Sequence, residues 1–417
     1  MCKQENSTQE YKCIRTVGEY INAIQEIIEQ ERENDSDFDK KYEVYFRGHI
    51  DKEFFLIPSL LRNKSGDKDS VGQACKEIVD NEHIAFRSLV AKHPSEFAEC
   101  KSAIEYLVKM QHYKLKTRLL DITSNALIAL YFACTTESGD VNDKLGEVIV
   151  FKLPKRIIKH YDSDTISAVA NIARCKPTDF IFSLRGEKNK LLDFEKGLNK
   201  LAPKRKCLIH MGLKKLSSLI CKCLHCEGEQ NNNSRGSNET LGKNQSIRSE
   251  DIIKFYRSAI QEVDTSEDSL VSTKYKEWFN NKLCYLHHQI KAEKPYYNPL
   301  IEPYDMGKIW AVNTKLENPR IINQSGSFLL FGLGICEKKI DGSNQLTYMK
   351  EFHPQIPDTW IAGRIGIGSH CNNIKDNKKN IVKQLSMLGI DHSFIFPDLE
   401  TAAKEINKQL LSSKTDK

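Results

Sequence analysis

Residues 125–134, NALIALYFAC, contain no charge, no glycine and no proline. Alanine and leucine are good helix formers, and Thr123 or Ser124 stands just ahead as an N-cap. A helix that is apolar on every side belongs in the middle of a core, so the fold has to enclose it in layers. Its N-terminal end carries unsatisfied N–H groups and the positive end of the helix dipole. That end is expected beneath the surface, facing the polar run QHYKLKTRLLDITS at 111–124, with His112, Thr117, Arg118 and Asp121. Buried ionisable groups must pair or serve a purpose, so a site is expected at this junction.

A chain of 417 residues can bury a large core. Its 40% apolar and 28% charged residues are the balance of a soluble globular protein. A formal charge of +6 accommodates an anionic ligand but lacks the concentrated basic face of dedicated nucleic-acid binders. The first residues are polar, unlike a signal peptide, and no apolar run approaches the roughly 20 residues needed to span a bilayer. No membrane association is expected. Thirteen scattered cysteines with no export signal fit reduced thiols and a cytoplasmic location.

Along the chain, TVGE at 16–19 matches a capping box, and isoleucines at helical spacing predict a helix to about Glu33. YEVYF at 42–46 alternates like a strand ending at Arg47-Gly48, and residues 71–108 read as helical. EVIVFK at 147–152 reads as a buried strand. From 154 to 297 the chain is Lys-rich and loosely periodic around EGEQNNNSRGSNETLGKNQSIRSED at 227–251, which is expected to be disordered. Strands are predicted again at 308–312 and 328–332, then a helix near 378–388 stopped by Gly389. A strand over 393–396 and a final helix capped by Asp398 close the chain. The expectation is an α+β, mixed α/β core made by residues 1–153 and 298–417. A small mixed sheet is flanked by helices, and residues 154–297 form a mostly helical insertion.

Four blocks resemble one family. Phe46-Arg47-Gly48 after a strand, followed by Pro58-Ser59 and Arg62, resembles the opening of the bacterial FRG domain. QHYKLKTRLLDITSNALIALYFAC resembles the family's QHYG-x-PTRLLDWT run and its ALYFA helix. NPRIINQSGSFLL at 318–330 and GIDHSFIFPDLE at 389–400 resemble its third and closing blocks. Lys114 stands where the family favours Gly, Lys116 where it favours Pro and Ile122 where it favours Trp. The resemblance implies a bacterial protein and a fold boundary more than a reaction; a part in stress or phage defence follows from family character alone.

The residues allow two functions. Arg47 offers a rigid fork for phosphate or carboxylate, and Gly48 lets a ligand approach the backbone. Arg118, Thr123 and Ser124 at the start of the apolar helix offer a second anion-binding element. His112 is a candidate acid or base and Glu400 a candidate catalytic carboxylate. A strand-end Arg, a buried helix bearing Tyr131 and Phe132, and a late carboxylate are ingredients shared with ADP-ribosyltransferases. There the Arg holds the pyrophosphate of NAD and a Glu stabilises an oxocarbenium-like ribose. YFRG is similar to the Arg-bearing first strand of some of those enzymes, although no Ser-Thr-Ser or Glu-x-Glu block follows it. This implies an NAD-cleaving or ADP-ribosyl-transferring protein that takes NAD as substrate. The alternative is a non-catalytic nucleotide or nucleic-acid binding module, with the basic run at 196–222 following a phosphate backbone. A structural reading stands beside both: Arg47 and Arg118 pair with Asp121 or Asp398 and hold the core in register.

Cys207, Cys221, Cys223 and Cys226, with His210 and His225, form the one stretch that resembles a zinc site. The C-x-C spacing departs from the usual C-x(2)-C, so buried apolar cysteines are expected there and no metal. GRIGIG at 363–368 does not follow the dinucleotide-binding order, and neither a G-x-S-x-G elbow nor a P-loop occurs.

Overall fold

The computed structural model describes residues 13–62, 81–176, 283–298, 301, 303–315, 318–332, 339–340, 346–347, 356–368, 373–398 and 403. The candidate zinc residues, the basic run at 196–222, the polar stretch at 227–251 and Glu400 lie outside them.

Strand β1 (Cys13–Ile14) leads into helix α1 (Val17–Asn34), whose N-cap Thr16 accepts a hydrogen bond from the Glu19 amide as the capping box predicts. A single helical turn, α2 (Phe38–Lys41), precedes β2 (Tyr42–His49), three residues longer than the alternation alone marks. Helices α3 (Glu82–Lys92) and α4 (Ala103–His112) come before β3 (Leu119–Thr123), the apolar helix α5 (Ala126–Cys134) and β4 (Gly146–Pro154). Next are β5 (Ile158–His160), α6 (Asp164–Ala170), α7 (Cys284–Glu293), α8 (Pro303–Met306), β6 (Ile309–Asn313), α9 (Pro319–Asn323) and β7 (Gly326–Phe331). A small hairpin of β8 (Lys339–Ile340) and β9 (Leu346–Thr347) precedes β10 (Ile361–Ile367), α10 (Ile374–Met387) and α11 (His392–Ile395).

Eight strands form one mixed sheet in the order β1-β10-β4-β2-β3-β7-β6-β5, parallel at its two outer pairs and antiparallel between. Its middle is thin. β2 pairs with β4 along its whole length but meets β3 at a single pair, Phe46 with Thr123. The sheet is therefore two four-stranded halves joined at Phe46 and diverging after it.

Alternation along β2 divides two cores. Val44 and Phe46 face α1, α5 and α10, while Tyr45 faces a second core built by α3, α4, α6 and α7. Helix α5 is enclosed as its composition demands, with Ile128, Ala129, Leu130, Tyr131, Ala133 and Cys134 buried. Its first turn is not. Asn125, Ala126 and Leu127 are half-exposed, and Asn125, rather than Thr123 or Ser124, is the N-cap, accepting from the Leu127 amide.

Both ends of the segment read as an insertion join the core. β5 is an edge strand of the sheet, and Leu283, Leu286 and Ile290 of α7 lie in the same cluster as α4 and β3. Residues 393–396, expected as a strand, form the turn α11, because the Asp391 carboxylate caps the Phe394 amide and winds the chain. GRIGIG lies largely on β10, antiparallel to β4. Gly389 ends α10 region at a φ of 79°, the left-handed stop that glycine supplies.

Candidate functional site

The site begins where the sheet splits. Beyond Phe46 the backbone of β2 leaves β3, and the carbonyl of Asp121 loses its ladder donor. Arg47 fills the gap with its side chain: Nη1 donates to Asp121 O and lies 3.7 Å from Asp121 Oδ2. Arg47 Nε donates to His49 Nε2 at 2.9 Å. Because a guanidinium only donates, His49 Nε2 accepts and its proton sits on Nδ1. That Nδ1 is buried and has no hydrogen-bond partner among the described residues.

Arg62 completes this cluster. Thr117 binds the turn at 59–61 twice, its amide donating to Ser59 Oγ and its carbonyl accepting from the Leu60 amide. The turn in turn positions Arg62, whose Nε donates to Ile57 O at 3.0 Å. Its two Nη groups have no hydrogen bond among the described residues. Burial lowers the pKa of Arg62, with Asp121 opposing the shift. Burial likewise brings Arg47 down to about 10; Asp121 opposes the shift and Arg62 adds to it. Burial, with Arg47, Arg62 and Arg364 alongside, pushes His49 down to about 2, so the imidazole is neutral. Asp121 thus pairs with Arg47 and acts on Arg62 through its charge. That carboxylate is anchored in turn by Gln111, whose Nε2 donates to Asp121 Oδ1 at 2.7 Å while its Oε1 accepts from Thr117. Phe54, half-exposed, sets its ring edge-on to His49 with centroids 6.0 Å apart.

Arg118 is a different kind of arginine. It is buried, its Nε and Nη2 grip both oxygens of Glu82, and its Nη1 donates to Phe331 O at 3.0 Å. Its partner is Glu82 rather than Asp121 or Asp398. The pair joins α3 to the β3–β7 half of the sheet and presents no donor to a ligand.

The remaining expected residues disperse. Gly48 faces α5: a Cβ there would stand 1.9 Å from Ala129 O and 2.7 Å from Ala133 N, so the glycine admits helix against strand. Thr123 Oγ1 donates to Gln324 O and accepts from the Asn125 amide, which ties the second block to the third. Ser124 is exposed and its amide bonds Ser325 O. Tyr131 is buried with its hydroxyl 3.1 Å from His392 Nδ1. His112 ends α4 and lines a cleft whose walls include Arg320 and Asp398 but not Arg47. Arg47 and His112 therefore serve two places, which meet at the last turn of α4 through Gln111.

Residues 42–141 match the family model described as FRG domain. The chain carries an FRG domain. No curated protein and no solved structure matches the chain. The matched segment runs from β2 through α5 and contains Arg47, His49, Arg62, Gln111 and Asp121, the whole cluster at the sheet split. Lys114, at the position where this family favours glycine, has a φ of 64°, the left-handed region that explains the preference.

Sequence reading missed His49, Glu82 and the effect of the Asp121 charge on Arg62. His49 is two residues from Arg47 on the same strand, and period-two alternation puts both on one face; that signal was available. Glu82 carries no such signal, because it looks like any acidic residue in the first turn of a helix. Among the described residues no cluster of His, Cys, Asp or Glu is arranged to hold a metal, and no helix is long and apolar enough to cross a membrane.

Proposed function

We propose that this FRG domain recognises a nucleotide at the sheet split, with Arg47 and Arg62 taking its phosphates. The observation that carries this is the arrangement of charge there: among the described residues two largely buried guanidiniums face the carboxylate of Asp121, and neither Nη group of Arg62 has a hydrogen-bond acceptor. A phosphate supplies acceptors and charge at once, and a guanidinium fork matches it. The half-exposed ring of Phe54 beside His49 is placed to stack on a base or nicotinamide.

NAD is the nucleotide this reading favours, and cleavage of its glycosidic bond or transfer of ADP-ribose is its stronger form. In that form Arg47 and Arg62 hold the pyrophosphate. The carboxylate that stabilises the ribose cation is Glu400, two residues beyond Asp398 in the closing block. His112 is removed from that chemistry as a general base, since its Nδ1 lone pair accepts from Arg320 Nη1 at 3.1 Å. A part in stress or phage defence would follow from such an activity.

The test is incubation of the purified protein with NAD, following nicotinamide release and, separately, binding of NAD and ADP, with Arg47→Ala alongside. Release that disappears in Arg47→Ala supports the enzyme. Binding without release, with or without nucleic acid or protein acceptors, leaves the non-catalytic module. Failure to bind NAD or ADP overturns both.

A further inference from the structure

A second cavity lies apart from the arginines at the sheet split. A cleft of about 410 Å³ opens between the C-terminal half of α4, the start of α9 and residues 397–398. That is within the roughly 300–1,000 Å³ of small-molecule sites and near its lower end, the size of a small organic ligand. Three blocks distant in sequence meet here, bringing His112, Arg320 and Asp398 to one wall. Local chemistry fixes Arg320: Pro319 starts α9, the Asn318 side chain accepts from the Arg320 amide, and the guanidinium lies 4.6 Å over the Phe396 ring.

The wall holds donors in search of acceptors. Arg320 Nε and Thr314 Oγ1 are buried and have no hydrogen-bond partner among the described residues. Arg320 Nη1 donates to His112 Nδ1, so the His112 proton sits on Nε2 and remains to be given. The pair between Arg320 Nη2 and Asp398 Oδ2 is 3.8 Å long, beyond hydrogen-bond reach. Of the cleft's lysines, Lys315 is taken by Glu105 at 2.9 Å, while Lys109 lies 3.7 Å from Glu96, a long ion pair like that of Arg320. Ile104, Val108 and Ile321 supply an apolar wall, and Tyr113 and Tyr161 supply aromatic ones.

We propose that this cleft binds a small organic carboxylate, with its oxygens on Arg320 and His112 and its body against the apolar wall. A carboxylate fits better than a phosphate because Glu99, Glu105 and Asp398 also line the cleft and repel a dianion more than a monoanion. The inference does not rest on the nucleotide reading, since neither Arg47 nor Arg62 lines this cavity.

Benzoate and butyrate serve as probes with the full chain, and benzamide is the neutral counterpart of benzoate. Calorimetry is expected to show a probe carboxylate binding at least about tenfold more tightly than benzamide, as one charge-assisted fork requires. The ring signals of His112 in the NMR spectrum are expected to shift on its addition, and Arg320→Gln to abolish the preference. Saturating ADP is expected to leave the carboxylate bound. Absence of binding by both probes, equal affinity for benzoate and benzamide, an unmoved His112, or displacement by ADP would each overturn the proposal. The His112 readout uses the unaltered protein, so the result stands even where Arg320→Gln fails to fold.

Discussion

Arg118 and the Arg47–Arg62 pair stand on neighbouring strands and a turn of the same FRG domain, and both are largely removed from solvent. Arg118 is closed: Glu82 takes two of its nitrogens and a backbone carbonyl takes the third. Arg47 and Arg62 are open: among the described residues both feel the Asp121 carboxylate, and the Nη groups of Arg62 have no acceptor. The difference separates architecture from recognition. An arginine that hydrogen-bonds through all three nitrogens holds two elements in register; one with nitrogens to spare in a poorly solvated place suits an anion. The TRLLD block therefore contributes scaffold through Arg118, while the FRG block supplies the arginine proposed to meet a phosphate.

Arg118→Ala gives the largest expected effect. It leaves Glu82 charged and buried, and breaking such a pair costs about 3–5 kcal/mol. Denaturant unfolding measures it; a loss under 1 kcal/mol would erase the distinction between closed and open arginines. Arg47→Ala comes next, with a loss of about 1.5–3 kcal/mol from hydrogen bonds made by a charged group to Asp121 and His49. Arg47 is thus a staple as well as the proposed ligand arm, and its stability loss has to be set against any loss of binding.

Acid sharpens the comparison further. His49 is held neutral at a folded pKa of about 2, far below its ordinary value, while the unfolded chain takes up a proton as pH falls below about 6.5. The unfolded state binds more protons in that window, so stability is fully present above it and falls as pH drops. The slope is up to about 1.4 kcal/mol per pH unit for such a group. Burial and Arg320 lower His112 in the same direction. Unfolding midpoints between about pH 7.5 and about pH 5.5 should fall, and His49→Gln should flatten the slope. Lys114→Gly gives the smallest effect, a gain of about 1 kcal/mol from relieving a left-handed backbone. The exposed ion pair of Lys114 with Glu137 offsets little of it.

The elements with clear periodicity were legible: α1 from its capping box, α5 from its composition, and β2, β4, β6 and β7 from apolar runs. Residues 393–396 misled because a short run with Phe and Ile fits either period, and the deciding force is a side-chain cap from Asp391. β10 was hidden by its glycines; Gly363 is small because Ile27 of α1 packs on it, a contact between residues far apart in sequence. Arg47 was readable as an arginine at a strand end. The split that gives it its position was not, because it depends on how far β2 runs beside β3. His112 was readable as a site residue but its partner Arg320 was not, since the cleft exists only where three distant blocks close on one another.

The account's central claim is tested most directly by comparing Arg62→Ala with the unaltered protein in titrations with ADP and adenosine, alongside their unfolding midpoints. Among the described residues Arg62 makes one backbone hydrogen bond through Nε and none through Nη, so the variant should unfold within about 0.5 kcal/mol of the parent. It should lose at least about tenfold in affinity for ADP and none for adenosine, as removal of a phosphate-binding fork requires. An unchanged ADP affinity, or an equal loss for adenosine, would contradict the claim that the open arginines of this FRG domain recognise a phosphate.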